Sequence, residues 1–193
     1  MGSPSSTQQS SEKRYFIAII PPSPLYEQAW EQKQYFKDHF HSKASLNSPP
    51  HITLHMPFKW SEKKELELTE LLKNFTTGCK SLPIELNGYS SFAPRVIFIN
   101  VIMTDALKKI QHDLQHYCKV ELNLFNANYK ELPFHPHITI AFRDLKKPNY
   151  QNAWSEYSTK HFHGEFMADK LTLLKHDGRF WKHHADLPFD KPL

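Results

Sequence analysis

Apolar residues fall in two rhythms along this chain. Residues 14–20, RYFIAII, form an aromatic and β-branched run of strand length, which predicts a buried strand. PPSP ends it. Ser23 with Pro24 predicts a helix start, and Leu25, Ala29, Gln32, Phe36 and Phe40 recur at helical spacing to about residue 40. NSPP at 47–50 predicts a loop, then a short strand. Ser61 is placed to cap a helix over 62–76 whose stripe is Leu66, Leu68, Leu71, Leu72 and Phe75. Residues 81–103 read as two strands turning at Ala93-Pro94. Thr104 or Asp105 opens another helix, carrying Leu107, Ile110, Leu114 and Tyr117 on one face, and 120–133 reads as loop. A strand at 137–143, a short helix at 146–158 and a closing hairpin that turns at Asp177-Gly178 complete the pattern. The second half echoes the first, which predicts an α+β fold built as a duplicated unit.

The duplication is sharpest in two short phrases. PPHITLHMPF at 49–58 and FHPHITIAFRD at 134–144 both contain Pro-His-Ile-Thr. Side chains two apart in a strand share a face. His51 and Thr53 therefore project together, as do His137 and Thr139, while the Ile partners can anchor each strand in a core. Strand rise sets His and Thr Cα atoms about 6.6 Å apart, so one phosphorus centre can touch both. Two such strands across a cleft would offer two imidazoles and two hydroxyls. Phosphodiester cleavage or cyclic-phosphate opening needs that set: one neutral ring accepts a proton, one charged ring donates one, and the threonines bond oxygens that gain charge. That chemistry requires no metal and no cofactor.

Composition narrows the setting. Of 193 residues, 39% are apolar, with 14 Phe, 8 Tyr and 4 Trp, enough for a packed core. Residues 1–13 are polar and Ser-rich and read as a tail, leaving 14–193 as one domain. No stretch approaches the roughly 20 apolar residues of a membrane span, and no signal peptide is visible. Cys79 and Cys118 make no disulfide framework, so a reducing cytoplasm is expected. A net charge of +4 suits an anionic substrate but falls short of a protein that coats nucleic acid. HDLQH at 112–116 has zinc-helix spacing, yet Asp113 stands where such helices carry Glu and no third ligand is near; a solvated face is expected.

The two PHIT segments, their separation, RYFIAIIPP, SPPHITLHMPF and PRVIFINV together resemble the two-histidine (2H) phosphoesterase superfamily, in its bacterial 2′-5′ RNA ligase-like branch with its HxTx motifs. The resemblance implies a bilobal α+β fold with pseudo-two-fold symmetry, antiparallel sheets lining a central cleft, and helices outside. It implies metal-independent opening of nucleoside or RNA 2′,3′-cyclic phosphates, or 2′-5′ ligation in reverse. By analogy His51 is the acid toward the leaving 3′ oxygen and His137 the base for water, although the symmetry of the pair permits either order.

Period two would also place Ala141 and Arg143 with His137, making Arg143 a phosphate contact, and would set His55 beside His51. Phe58, Phe134 and Tyr15 flank the motif strands as possible base-stacking plates; His135 is expected to turn away. The expected partner is a nucleotide or RNA end bearing a cyclic phosphate, met by a monomer away from any membrane. Two alternatives stay open: a non-catalytic nucleotide- or RNA-binding module, and a hydrolase of 2′-5′ oligoadenylates.

Overall fold

The computed structural model describes residues 11–128 and 132–190. Strand β1 (Glu12–Ile19) turns Tyr15, Ile17 and Ile19 into the core and Phe16 and Ala18 to the other face. Glu12 and Lys13, expected in the tail, are thus part of the sheet, and Ser11 donates a hydrogen bond to Glu62; residues 1–10 of that expected tail lie outside the described residues. Helix α1 (Leu25–Phe40) follows and buries Leu25, Ala29, Lys33, Phe36 and Phe40. The expected stripe is correct except at one point, where Lys33 rather than Gln32 is buried. Ser23 makes no capping bond, because Pro24 occupies the cap position.

The remaining strands are β2 (Ile52–Ser61), β3 (Leu82–Phe92), β4 (Val96–Val101), β5 (His137–Ala141), β6 (His163–Ala168), β7 (Lys170–His176) and β8 (Trp181–Pro188). Helices α2 (Glu65–Thr76), α3 (Asp105–Glu121) and α4 (Lys147–Tyr157) lie between them. A short 3-10 turn at 62–64 displaces Ser61 from the cap of α2, and Leu66 faces solvent. Thr104 does cap α3, its hydroxyl accepting from the Leu107 amide, a bond that typically contributes about 1 kcal/mol.

All eight strands join one curled antiparallel sheet in the order β6-β3-β4-β5-β2-β1-β7-β8, with helices outside. The expected α+β architecture, antiparallel strands lining a cleft with helices outside, is the one observed. Each half contributes four strands, and the two motif strands meet at the centre. Their ladder is thin: Ile52 with Ile138 is the registered pair between β2 and β5. Both isoleucines are fully buried, and burying a side chain of that size contributes roughly 1.5–3 kcal/mol. Helix packing reinforces the seam crosswise, since α1 lies behind β5 and α3 behind β2. The chain crosses halves twice, placing β3 beside β4 and β7 beside β1. The open concave face carries the two motifs.

Candidate active site

Each motif begins with a proline that shapes it. Pro50 and Pro136 are buried, and proline forces the residue before it toward extended backbone. That residue's carbonyl accepts the imidazole in both copies: His51 Nδ1 lies 2.7 Å from the Pro49 oxygen, and His137 Nδ1 lies 2.7 Å from the His135 oxygen. These contacts assign the neutral tautomer with the proton on Nδ1. Among the described residues Nε2 of each ring has no protein partner and remains open to solvent, the nitrogen left for chemistry.

Phenylalanine supports both rings. Phe16 on β1 contacts His51 at 4.7 Å between centroids, and Phe98 on β4 contacts His137 at 4.8 Å. The next ring outward is also matched, Trp181 on Phe16 at 4.7 Å and Phe92 on Phe98 at 4.6 Å. Thr53 and Thr139 are partly exposed, like the histidines. Strand register sets Thr53 opposite Ala18 and Thr139 opposite Phe98, both on the concave side.

Lys33 stands behind this site. It is only 1% exposed, and its ammonium donates to the carbonyls of Ser45 and Ser48 at 3.0 and 2.9 Å. The loop that delivers Pro49, Pro50 and His51 is thereby tied to α1. Burial pulls the Lys33 pKa down to about 7. His51 is pulled down to about 3, first by desolvation, then by the Lys33 charge, with the Pro49 carbonyl opposing and His137 adding a smaller push. Desolvation also lowers His137, opposed by the His135 carbonyl and assisted by the His135 ring. These surroundings thus favour two neutral rings, and an anionic phosphate would offset this by stabilising imidazolium.

Several expected neighbours lie elsewhere. The β1–β2 ladder shifts register twice, between Tyr15 and Ile17 and between Ile17 and Ala18. The added residues on β2 turn His55 into the core opposite Ile17, and Phe58 opposite Tyr15. His55 is fully buried, with Nδ1 on the Met56 carbonyl and Nε2 unpartnered. Tyr15 is buried, stacks on Phe58 and donates to Glu65, so neither ring reaches the concave face. Phe134 packs half-buried against the core. A further shift between Ile97 and Phe98 sends Ala141 into the core, so Arg143 does not inherit the face of His137 by alternation. Arg143 is exposed, with φ 59, and its guanidinium lies over Phe142 at 5.0 Å. The adjacent Asp144 is occupied by Ser42 and the amides of Lys43 and Ala44. His135 precedes the strand and is not turned away; its ring lies 5.2 Å from Phe92. His112 and His116 sit on α3, where Asp113 pairs with Lys109, and no group of three potential metal ligands occurs among the described residues.

A profile of the 2′-5′ RNA ligase superfamily matches residues 21–179. The chain belongs to this superfamily. Among relatives, a candidate phosphoesterase of Geobacillus thermodenitrificans is 31% identical over 163 residues, covering 83% of this chain and 87% of the relative. One from Geobacillus kaustophilus is 30% identical over the same shares. Escherichia coli LigT, solved with 3′-AMP, superposes with a TM-score of 0.66 at 18% identity, covering 94% of this chain and 100% of LigT. A Thermus thermophilus protein gives 0.64 at 17% identity, covering 91% and 97%. At such identities these structures show that the curled sheet is the fold of this 2′-5′ RNA ligase superfamily member. The 2H resemblance carried by the PHIT segments agrees with the profile and the relatives.

Phe16, Phe98, Trp181 and Lys33 were missed from sequence. Alternation within RYFIAII held the signal for the first: once Tyr15, Ile17 and Ile19 are assigned to the core, Arg14 and Phe16 must face the other way.

Proposed function

We propose that this protein is a phosphodiesterase that opens 2′,3′-cyclic phosphates at nucleoside or RNA ends by two-histidine acid–base catalysis. The observation that carries the reading is the matched anchoring of His51 and His137, each held at Nδ1 by a carbonyl two residues back, each with a solvent-open Nε2. In the reaction, His137 Nε2 accepts a proton from water as its oxygen attacks phosphorus. The bond from phosphorus to O3′ breaks, and protonated His51 supplies the proton that O3′ takes up. The product retains a 2′-phosphate, and the second proton balances when His137 and His51 re-equilibrate with solvent. Thr53 and Thr139 hydroxyls donate to the non-bridging oxygens. With a 5′-hydroxyl in place of water the same steps form a 2′-5′ linkage, His137 again accepting the nucleophile's proton and His51 again protonating O3′.

Relatives named as phosphoesterases support this class, and LigT bound to 3′-AMP supports a nucleotide phosphate on the same fold. The test is hydrolysis of 2′,3′-cyclic AMP, with a chelator present, by wild type, His51→Ala and His137→Ala. Each substitution should cost about 10²–10⁴-fold in kcat while circular dichroism stays native. Near-normal turnover by either variant would refute the reading. Tight nucleotide binding without turnover by wild type would make the chain a binding module, and activity abolished by chelation would point to a metal hydrolase.

A further inference from the structure

The ring contacts do not stop at the histidine. From His51 they run to Phe16, then to Trp181, and Trp181 contacts His176 at 4.9 Å. Phe16 is only 3% exposed, whereas Trp181 and His176 keep exposed surface. Arg14, two residues before Phe16 and on its face, lies with its guanidinium 5.7 Å from the Trp181 ring centre and donates to the His176 imidazole at 3.0 Å. Among the described residues no carboxylate pairs with Arg14. The nearby Asp177 carboxylate accepts from the Arg179 and Phe180 amides. Asp186 pairs with the Lys170 ammonium and contacts the His183 ring, each at 2.8 Å.

The matching arm of the other half has the opposite character. Beyond Phe92 and Phe98, the concave side of β3 and β6 presents Glu85 directly across from Glu165. Leu82, Ile84 and Leu86 alternate with Glu85 and face the core. A polyanion leaving the two histidines is therefore repelled by β3–β6 and attracted toward β1–β7–β8. An aromatic plate beside a guanidinium that no carboxylate holds is the arrangement that holds a stacked base and its phosphate in single strands.

We propose that Trp181, with Arg14 and His176, forms a subsite for the nucleotide adjoining the phosphate-bearing one, so that the substrate is the end of a single-stranded oligoribonucleotide rather than a free mononucleotide. This inference rests on the reading of the two histidines as the cyclic-phosphate site. Its test compares kcat/KM on 2′,3′-cyclic AMP with kcat/KM on a short oligoadenylate ending in a 2′,3′-cyclic phosphate, for wild type, Trp181→Ala and Arg14→Gln. Fluorescence anisotropy with a labelled oligoadenylate bearing a 3′-phosphate accompanies it. Wild type should favour the oligomer by 10-fold or more, and Trp181→Ala should collapse that preference while weakening oligomer binding about 10–100-fold. Arg14→Gln should weaken binding and lower its salt dependence by about one phosphate contact. Unchanged preference and unchanged anisotropy in both variants would overturn the subsite. Anisotropy reads the subsite without turnover, so a protein that binds the oligomer through Trp181 but cleaves nothing would sink the hydrolase reading and leave the subsite standing.

Discussion

Ile52 of β2 stands directly across from Ile138 of β5, the registered pair that joins the two halves of the sheet. Antiparallel register continued by one residue sets His51 opposite Thr139 and Thr53 opposite His137, all on the face away from the two isoleucines. The motifs are crossed: each imidazole faces the other copy's hydroxyl, and the two histidines become diagonal neighbours, spaced about 7–8 Å in such a ladder. The field of His137 felt at His51 agrees with that proximity.

Crossed pairing would let both threonines serve one phosphate in the proposed reaction. Thr53→Val and Thr139→Val keep shape and remove a donor. Each should lower kcat on a cyclic phosphate by about 10²-fold, at the lower end for a single oxyanion donor, with KM changing far less. Thr→Ser at the same positions should restore most of the loss. Steady-state kinetics on the four variants checks this; a Val variant with wild-type kcat would remove that hydroxyl from the cradle.

The depressed pKa values of His51 and His137 give a pH signature. The proposed reaction needs one proton shared by the pair, while the free protein favours none near neutrality. The one-proton form grows as pH falls, so kcat/KM, which reports the free enzyme, should rise from pH 8 to pH 6. Bound phosphate stabilises the imidazolium, so the kcat optimum should lie at higher pH than the kcat/KM optimum. Rate profiles from pH 4.5 to 9 read both, and a kcat/KM that climbs with pH across this range contradicts the assignment.

Legibility followed the physics of each signal. Helix α1 was readable end to end because Leu25, Ala29, Phe36 and Phe40 hold helical spacing on either side of one polar position, and the duplicated PHIT phrases located both central strands. Strand β6 escaped notice, since HGEFMA carries little of the apolar alternation that marks a strand. The misplacement of His55 and Ala141 has a single cause: alternation was extended through register shifts that only the partner strand reveals. Lys33 was invisible because a lysine on an apolar stripe ordinarily snorkels to solvent, and here the carbonyls it binds come from a loop 12 and 15 residues away.

Arg143 separates backbone from side-chain effects. Its φ of 59 lies in the left-handed region, and the Asp144 amide closes a tight turn on the Phe142 carbonyl at 2.7 Å. A residue with Cβ pays roughly 1–2 kcal/mol in that region. Arg143→Gly should therefore hold or raise the melting temperature. If the guanidinium over Phe142 also contacts substrate phosphate, the same variant should raise KM several-fold. Thermal melts with kinetics distinguish the two, and an unchanged KM would confine Arg143 to the turn.

Lys33 sets the last test, with its sign fixed by linkage. The unfolded chain holds this lysine at its ordinary pKa of 10.5, and burial lowers it to about 7 in the fold. Between those values the unfolded state binds more protons, so stability rises with pH. The contribution is fully present above about 10.5 and is lost as pH falls toward about 7. Its slope is at most about 1.4 kcal/mol per pH unit. Lys33→Met removes this dependence, and other titrating groups cancel when the variant is subtracted from wild type. The variant also leaves the Ser45 and Ser48 carbonyls without their donor, a loss of about 1–3 kcal/mol each where solvent cannot replace it. Wild type minus Lys33→Met should thus grow in unfolding free energy from pH 7 to pH 10 in urea titrations. A difference flat across that interval would mean that Lys33 keeps an ordinary pKa in the fold.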